Sequence, residues 1–273
     1  MHILVVNPNT TASMTQKIGA AAQAVAASGT AIEAVNPNFG PPSIEGFYDE
    51  VFSIPGLLAQ MRAAPSADAY VIACFDDTGL DAARCLTTAP VVGIGEAAFH
   101  MASLVAYRFS VVTTLSRSIS AIEHNLAKYG FAGRCARVRA SDIPVLDLEI
   151  PGSDARQRIS KEIENAIIED RAEAIVLGCA GMADLAAALS REHRLPVVDG
   201  VGAAVKLAEG LVSLGHKTSK HGGYAAPRAK PYAGMFAAFT PQAQHEPDNE
   251  SQPQRAADNP PITASPAGQR TLW

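Results

Sequence analysis

Two cysteines, Cys74 and Cys179, each close an apolar run, Tyr70-Val-Ile-Ala-Cys74 and Ile175-Val-Leu-Gly-Cys179. In an open parallel sheet such positions lie just past the carboxyl ends of strands, where loops enter helices and free backbone N–H groups point outward. A single cysteine there is ordinarily a small buried hydrophobe. Two at equivalent places can do more, because a thiol and a thiolate on opposite faces of one carbon can invert its configuration. One face loses a proton, the other gains one, and the roles exchange for the other enantiomer. Reacting atoms must come within about 3–3.5 Å, so the sulfurs are expected to stand apart rather than in a disulfide. The backbone N–H groups of Phe75 and Asp76 on one side, and of Ala180 and Gly181 on the other, are placed to hold the oxygen on which enolate charge develops. The helix N-terminus after each cysteine is expected to lower its thiol pKa toward neutrality. Asp76 opposes this, since a nearby carboxylate disfavours a thiolate; capping of the following helix by Asp76 or Asp77 would remove the conflict. Cys85, inside a predicted helix, and Cys135, near a strand start, are assigned to packing.

The elements that must position these thiols alternate along the chain. Strands are predicted at 2–6, 32–36, 69–74, 91–94, 109–113, 136–140, 174–178 and 197–199, and helices at 11–26, 54–63, 78–86, 96–106, 118–129, 154–169, 182–191 and 202–214. This alternation predicts an α/β fold with mostly parallel sheets and flanking helices. The chain also repeats itself. Ile3-Leu-Val-Val6 matches Phe109-Ser-Val-Val112, the two cysteine blocks match, and Ala89-Pro-Val-Val92 matches Leu195-Pro-Val-Val198, in one order and at nearly one spacing. We expect two similar lobes, related by a pseudo-twofold axis and facing each other across a cleft. The first takes 1–95 plus about 205–232, and the second takes 96–204. From 241 to 273 the chain is polar and proline-rich, and a disordered tail is expected.

Other residues at strand ends admit two readings. Asn9 sits where a ligand-facing side chain would, and where Asn is also an ordinary N-cap. Thr113 and Thr114 hold the equivalent place in the second lobe. Phe39, in the rigid loop Asn38-Phe-Gly-Pro-Pro42, would supply an apolar wall, or only a turn. Glu45 and Glu96 read as supporting carboxylates or as capping, solvated ones. No Cys/His or Asp/His cluster has metal-ligand spacing, and the glycine pairs Gly93-Ile-Gly95 and Gly200-Val-Gly202 lack the rest of a nucleotide-binding pattern. Neither a metal nor a cofactor is implied. Lys+Arg 22 against Asp+Glu 27, with no basic run, argues against nucleic acid as a partner. The apolar runs are too short for a membrane span, and four cysteines in 273 residues fit reduced thiols in the cytoplasm better than a disulfide framework. The expected partners are a small-molecule substrate and, in a homo-oligomer, further copies of the chain.

The opening Ile3-Leu-Val-Val-Asn-Pro-Asn-Thr10, the Ile44-Glu-Gly stretch with Asp49-Glu50, Ala73-Cys-Phe-Asp-Asp-Thr-Gly-Leu80 and Leu177-Gly-Cys-Ala-Gly-Met182 together resemble the hydantoin/allantoin racemase branch of the aspartate/glutamate racemase superfamily. The resemblance covers residues 1 to about 232. It implies a cofactor-independent racemase of 5-substituted hydantoins, with Cys74 and Cys179 as the two acid/base residues and allantoin as an alternative substrate. Where the branch often has Phe-Gly-Asp-Pro-Gly after the first cysteine, this chain has Phe-Asp-Asp-Thr-Gly, and where amino-acid racemases carry polar groups after each cysteine it has Phe75 and Ala180. A neutral, partly apolar ring suits these positions better than a zwitterion. A bilobed ligand-binding or redox-sensing protein, with a reversible disulfide between the same cysteines, is the reading of another class.

Overall fold

Eight short runs rich in Val, Ile and Ala fold as strands and stack into two sheets in a computed structural model that describes residues 1–150 and 152–241. Beyond Pro241, the expected tail lies outside the described residues. The strands are β1 (His2–Val6), β2 (Ala31–Val35), β3 (Ala69–Ile72), β4 (Val91–Gly93), β5 (Phe109–Thr113), β6 (Cys135–Ala140), β7 (Ala174–Leu177) and β8 (Val197–Asp199). They form two four-stranded parallel sheets, ordered β2-β1-β3-β4 and β6-β5-β7-β8. The repeat extends to register: Ile3 pairs with Ala69 as Phe109 pairs with Ala174, and Val6 pairs with Ile72 as Val112 pairs with Leu177. The central strands of each sheet are buried along their whole length or nearly so, which is why they read as continuous apolar runs rather than alternating ones.

The helices are α1 (Ala12–Val25), α2 (Phe47–Ala63), α3 (Leu80–Leu86), α4 (Ile94–Val105), α5 (Ile119–Lys128), α6 (Ala155–Glu169), α7 (Ala186–His193) and α8 (Gly200–Ser213). Two of them cross between the sheets. The helix α4 leaves β4 yet packs on β7 and β8, whereas α8 leaves β8 and packs on β3 and β4. Where the two helices meet, a Cβ on Gly200 would lie 2.5 Å from the Ile94 carbonyl oxygen, so the crossing requires glycine. The exchange gives one apolar cluster that holds Ile3 and Val71 of the first sheet together with Phe109 and Val176 of the second. At its centre Phe99 of α4 meets Phe75 edge-on at 5.6 Å and stacks on Phe109 at 6.0 Å. Burying an aromatic of this kind contributes on the order of 2–3 kcal/mol, and here it ties the loop after Cys74 to both sheets.

Two helices depart from the boundaries expected from sequence. α2 starts at Phe47 rather than 54, and Pro55 lies inside it. Its first turn carries Asp49 and Glu50, which suit a helix N-terminus. The exposed Phe47, Tyr48, Val51 and Phe52 hide its apolar period. The stretch expected as a helix at 182–191 divides into a 3-10 turn, Ala180–Leu185, and α7. After α8 the chain returns over α2 and α3. Lys220 Nζ donates to the Arg84 carbonyl at 2.6 Å, Tyr224 Oη donates to Asp81 at 3.2 Å, and Arg62 donates to the Ala238 carbonyl at 2.9 Å. Polar contacts hold this segment, since Met235 is 85% exposed and Phe236 49%.

Candidate active site

β3 stops at Ile72, and one further ladder bond, from the Ala73 N–H to the Val6 carbonyl at 2.9 Å, carries the chain to Cys74. The loop then turns sharply. The Asp77 N–H donates to the Cys74 carbonyl at 3.0 Å, and Asp77 takes a left-handed φ of 51°, which Asp tolerates better than most residues. Its carboxylate accepts the N–H groups of Gly95 at 2.9 Å and Glu96 at 2.7 Å and the Tyr129 hydroxyl at 3.0 Å. Asp77 therefore caps α4 rather than α3, the helix that follows it. Asn125 of α5 donates to the Asp76 carbonyl at 2.8 Å. The loop that carries the first cysteine is thus fastened by residues from beside the second sheet.

Cys179 follows β7 in the same way. The Gly178 N–H donates to the Val112 carbonyl at 2.8 Å, and the Gly178 carbonyl accepts the Thr113 hydroxyl at 3.0 Å. A Cβ on Gly178 would lie 2.8 Å from that of Thr113, so the strand end has room only for glycine. The Met182 N–H donates to the Cys179 carbonyl at 3.1 Å and starts the 3-10 turn. Each sulfur has local donors: the Thr78 hydroxyl at 3.4 Å and the Asp76 N–H for Cys74, and the Gly181 N–H for Cys179.

Both cysteines line one small cleft, enclosing about 430 Å³ of empty space that is partly open to solvent. Asn9, Phe75, Asp76, Thr113, Thr114 and Ala180 line it with them. Phe39 is not on its lining: it is 46% exposed, on a loop whose Pro41 and Pro42 carbonyls accept from Thr10 and Thr11. Gly181 is also off the lining and reaches the site only through its N–H. Asn9 lines the cleft but is not the N-cap of α1, a place taken by Thr11; its Oδ1 accepts the Thr11 N–H at 2.9 Å in a turn just before the helix. Asn7, Ile44, Ser118 and Val145 are among the further wall residues, with Met14, Ala73 and Gly178, and none of them is an expected substrate contact. Asn7 had a signal, for it is the repeat counterpart of Thr113. It donates to Asn9 Oδ1 at 2.9 Å and Thr15 Oγ1 at 3.0 Å. Ile44 stands in the Ile44-Glu-Gly stretch that carries the resemblance, whereas Val145, which opens a 3-10 turn, had no signal; the Glu45 carboxylate joins the two segments by accepting the Val145 N–H at 3.0 Å. Glu96 pairs with Arg84 at 2.5 Å.

The electrostatics reverse one expectation. Neither thiol is lowered: burial first, and then the Asp76 carboxylate, holds Cys74 well above the ordinary thiol range. Burial also pushes Cys179 up to about 11, with Asp76 adding to it against the Gly181 N–H. The helix dipole does not offset this at Cys74, because α3 begins only at Leu80 and a macrodipole acts within about one turn. Asp76 itself is pushed up to about 7 by burial, by Glu50 and by Asp77. All four cysteines are free thiols. Among the described residues no group of three His, Cys, Asp or Glu could hold a metal, and no helix is long and apolar enough to cross a membrane.

Two repeated parallel sheets, with a free cysteine at the equivalent end of each and one cleft between them, define an α/β protein of the aspartate/glutamate racemase-like class. Residues 3–208 match the family model described as Asp/Glu/Hydantoin racemase, and the chain belongs to that family. It is 51% identical over 236 residues to a hydantoin racemase of Rhizobium meliloti, covering 86% of this chain and 98% of that protein. It is 46% identical to a hydantoin racemase of Pseudomonas sp. strain NS671, over 88% of this chain and 97% of that protein. The solved structure of allantoin racemase from Klebsiella pneumoniae superposes with a TM-score of 0.86 at 51% identity, covering 89% of this chain and all of that one (100%). An arylmalonate decarboxylase structure shares only the fold, with a TM-score of 0.55 at 17% identity. The protein is therefore an isomerase, a racemase of the hydantoin/allantoin branch.

Proposed function

We propose that the protein racemises 5-monosubstituted hydantoins by two-base proton transfer at C5, with Cys74 and Cys179 as the two bases. The observation that carries this reading is the placement of both free cysteines, from equivalent strand ends, in one cleft. In one direction the thiolate of one cysteine takes the C5 proton, the C5–H electron pair moves into an enolate at the adjoining carbonyl, and the thiol of the other cysteine delivers a proton to the opposite face. Thiolate and thiol have then exchanged, which readies the enzyme for the reverse direction. The backbone N–H groups of Phe75 and Ala180 supply donors for the enolate oxygen, while those of Asp76 and Gly181 are held by the two sulfurs. Cys74 and Cys179 require reduced thiols, which suits a reducing cytosol.

The substituent at C5 separates two forms of this reading. The similar hydantoin racemases support the hydantoin ring without specifying its substituent, and the equally similar allantoin racemase supports a ureido group. Enantiopure 5-alkyl-, 5-aryl- and 5-ureidohydantoin, each followed by optical rotation, test both. The rotation should decay to zero for at least one substrate, and constant rotation for all of them would overturn the proposal.

A further inference from the structure

The Asp76 carboxyl takes no part in the two-thiol chemistry, and the fold holds this residue through its backbone carbonyl rather than its side chain. It lines the cleft between two thiols, close enough for its charge to bear on both. Its backbone is fixed from both ends. Asn125 holds its carbonyl at 2.8 Å, and its neighbour Asp77 is locked by three donors, the Gly95 and Glu96 N–H groups and the Tyr129 hydroxyl. Its carboxyl, by contrast, has no hydrogen-bond or ion-pair partner among the described residues. A side chain pinned at its root and unpaired at its tip inside a reaction cleft is placed to meet a ligand.

The groups around it decide which form meets that ligand. Glu50 of α2 and Asp77 of its own loop both carry negative charge toward it. Glu50 Oε1 is itself buried with no partner among the described residues. The other titratable groups of the cleft are the two thiols, with Lys17 and Glu45 bearing on Cys179. Asp76 in the cleft, a thiolate beside it and the Glu50 and Asp77 carboxylates behind it cannot all be charged cheaply, so a proton is retained among them. A retained proton makes Asp76 a hydrogen-bond donor, and it also removes the conflict between a carboxylate and a neighbouring thiolate.

We propose that Asp76 is a third catalytic residue, a neutral carboxylic acid whose O–H donates to the substrate carbonyl oxygen on which charge develops as C5 loses its proton. The proton stays on the carboxyl throughout. The hydrogen bond strengthens as the enolate forms and relaxes when the second cysteine protonates C5, so nothing is consumed. An O–H donor that strengthens only as charge develops acts on the transition state rather than on binding. The inference rests on the hydantoin reading above and adds a residue to it.

The test compares Asp76→Asn, which keeps a donor, with Asp76→Leu, which removes it, in the full-length chain, with circular dichroism and thermal melting as checks of folding. Loss of deuterium from C5 of a hydantoin into water is followed at pH 7. Asp76→Asn should stay within about 3-fold of the parent, and Asp76→Leu should lose about 100-fold in kcat with KM little changed. Equal loss in both variants, or near-parental turnover in Asp76→Leu, would overturn the proposal. Exchange by the parent chain tests the hydantoin reading separately. A second readout needs no substrate: carboxyl 13C NMR of Asp-labelled protein, with Asp76→Asn identifying the resonance. A carboxyl that titrates near neutral pH supports the proposal, and one that titrates in the ordinary carboxylate range overturns it.

Discussion

Asn125 and Asp76 join the two halves of the molecule at the reactive loop: the Asn125 amide, on a helix packed beside the second sheet, donates at 2.8 Å to the Asp76 carbonyl two residues beyond Cys74. Asn125 is 8% exposed, so the carbonyl it leaves behind would be poorly solvated. Asn125→Ala is expected to cost about 1–2 kcal/mol of stability. It should lower kcat more than it raises KM, because it loosens the loop rather than removing a substrate contact. Urea unfolding and steady-state kinetics measure the two effects.

Asp77 makes the same loop dependent on α4. A Cβ on Gly95 would lie 2.3 Å from the Phe75 carbonyl and 2.9 Å from the Asp77 carboxylate, so Gly95→Ala must push backbone rather than a flexible side chain. We expect Gly95→Ala to lose activity about 100-fold or more, since small misplacements at a reacting centre have such effects, with a lowered melting temperature. Asp77→Ala should destabilise by about 2 kcal/mol through loss of the cap.

Protonation of Asp77 gives a pH signature in stability. Burial pushes its carboxyl up to about 7 in the folded chain, against an ordinary value near 4 when unfolded. Folding then favours the protonated form, so stability from this group is full below about pH 4 and declines as pH rises toward 7. Asp77→Asn should flatten that decline in melting temperature between pH 4 and pH 7, and the other raised carboxyls, Asp76, Glu50 and Asp199, should leave a remaining slope.

The pH–rate profile follows from the raised thiols. With Cys179 at about 11 and Cys74 above the ordinary range, the thiolate fraction grows as pH rises. Log kcat/KM should therefore climb with a slope of about one below neutrality. Near pH 7 Asp76 gives up its proton, which removes a donor and adds a charge opposed to the thiolate, and the climb should bend. In Asp76→Asn the bend should disappear and the climb continue.

Much of this architecture is legible in the amino-acid sequence because central parallel strands are apolar throughout and the chain states each of them twice. Ile3-Leu-Val-Val6 and Phe109-Ser-Val-Val112 mark β1 and β5, and the matching strand orders of the two sheets follow the repeat. What local pattern hides is long-range packing. The exposed aromatics of α2 break its apolar period, and Pro55 looks like a start although it lies well inside. The cap that Asp77 provides goes to a helix beginning at Ile94, which no short-range capping rule finds. The raised thiols were missed for a related reason. A helix N-terminus is visible in sequence, whereas desolvation and the approach of Asp76 are set by how two sheets close on one cleft.

The central claim is that Cys74 and Cys179 serve opposite faces of one carbon, and C5-deuterated substrate of each configuration tests it directly. Each enantiomer of a 5-monosubstituted hydantoin is incubated separately with Cys74→Ser and Cys179→Ser, and deuterium loss and optical rotation are followed together. Racemisation should fall about 1,000-fold in both variants. Each variant should still wash deuterium out of one enantiomer with retention, and the two variants should select opposite enantiomers. Loss of deuterium from the same enantiomer by both variants, or near-parental racemisation by either, would contradict the account.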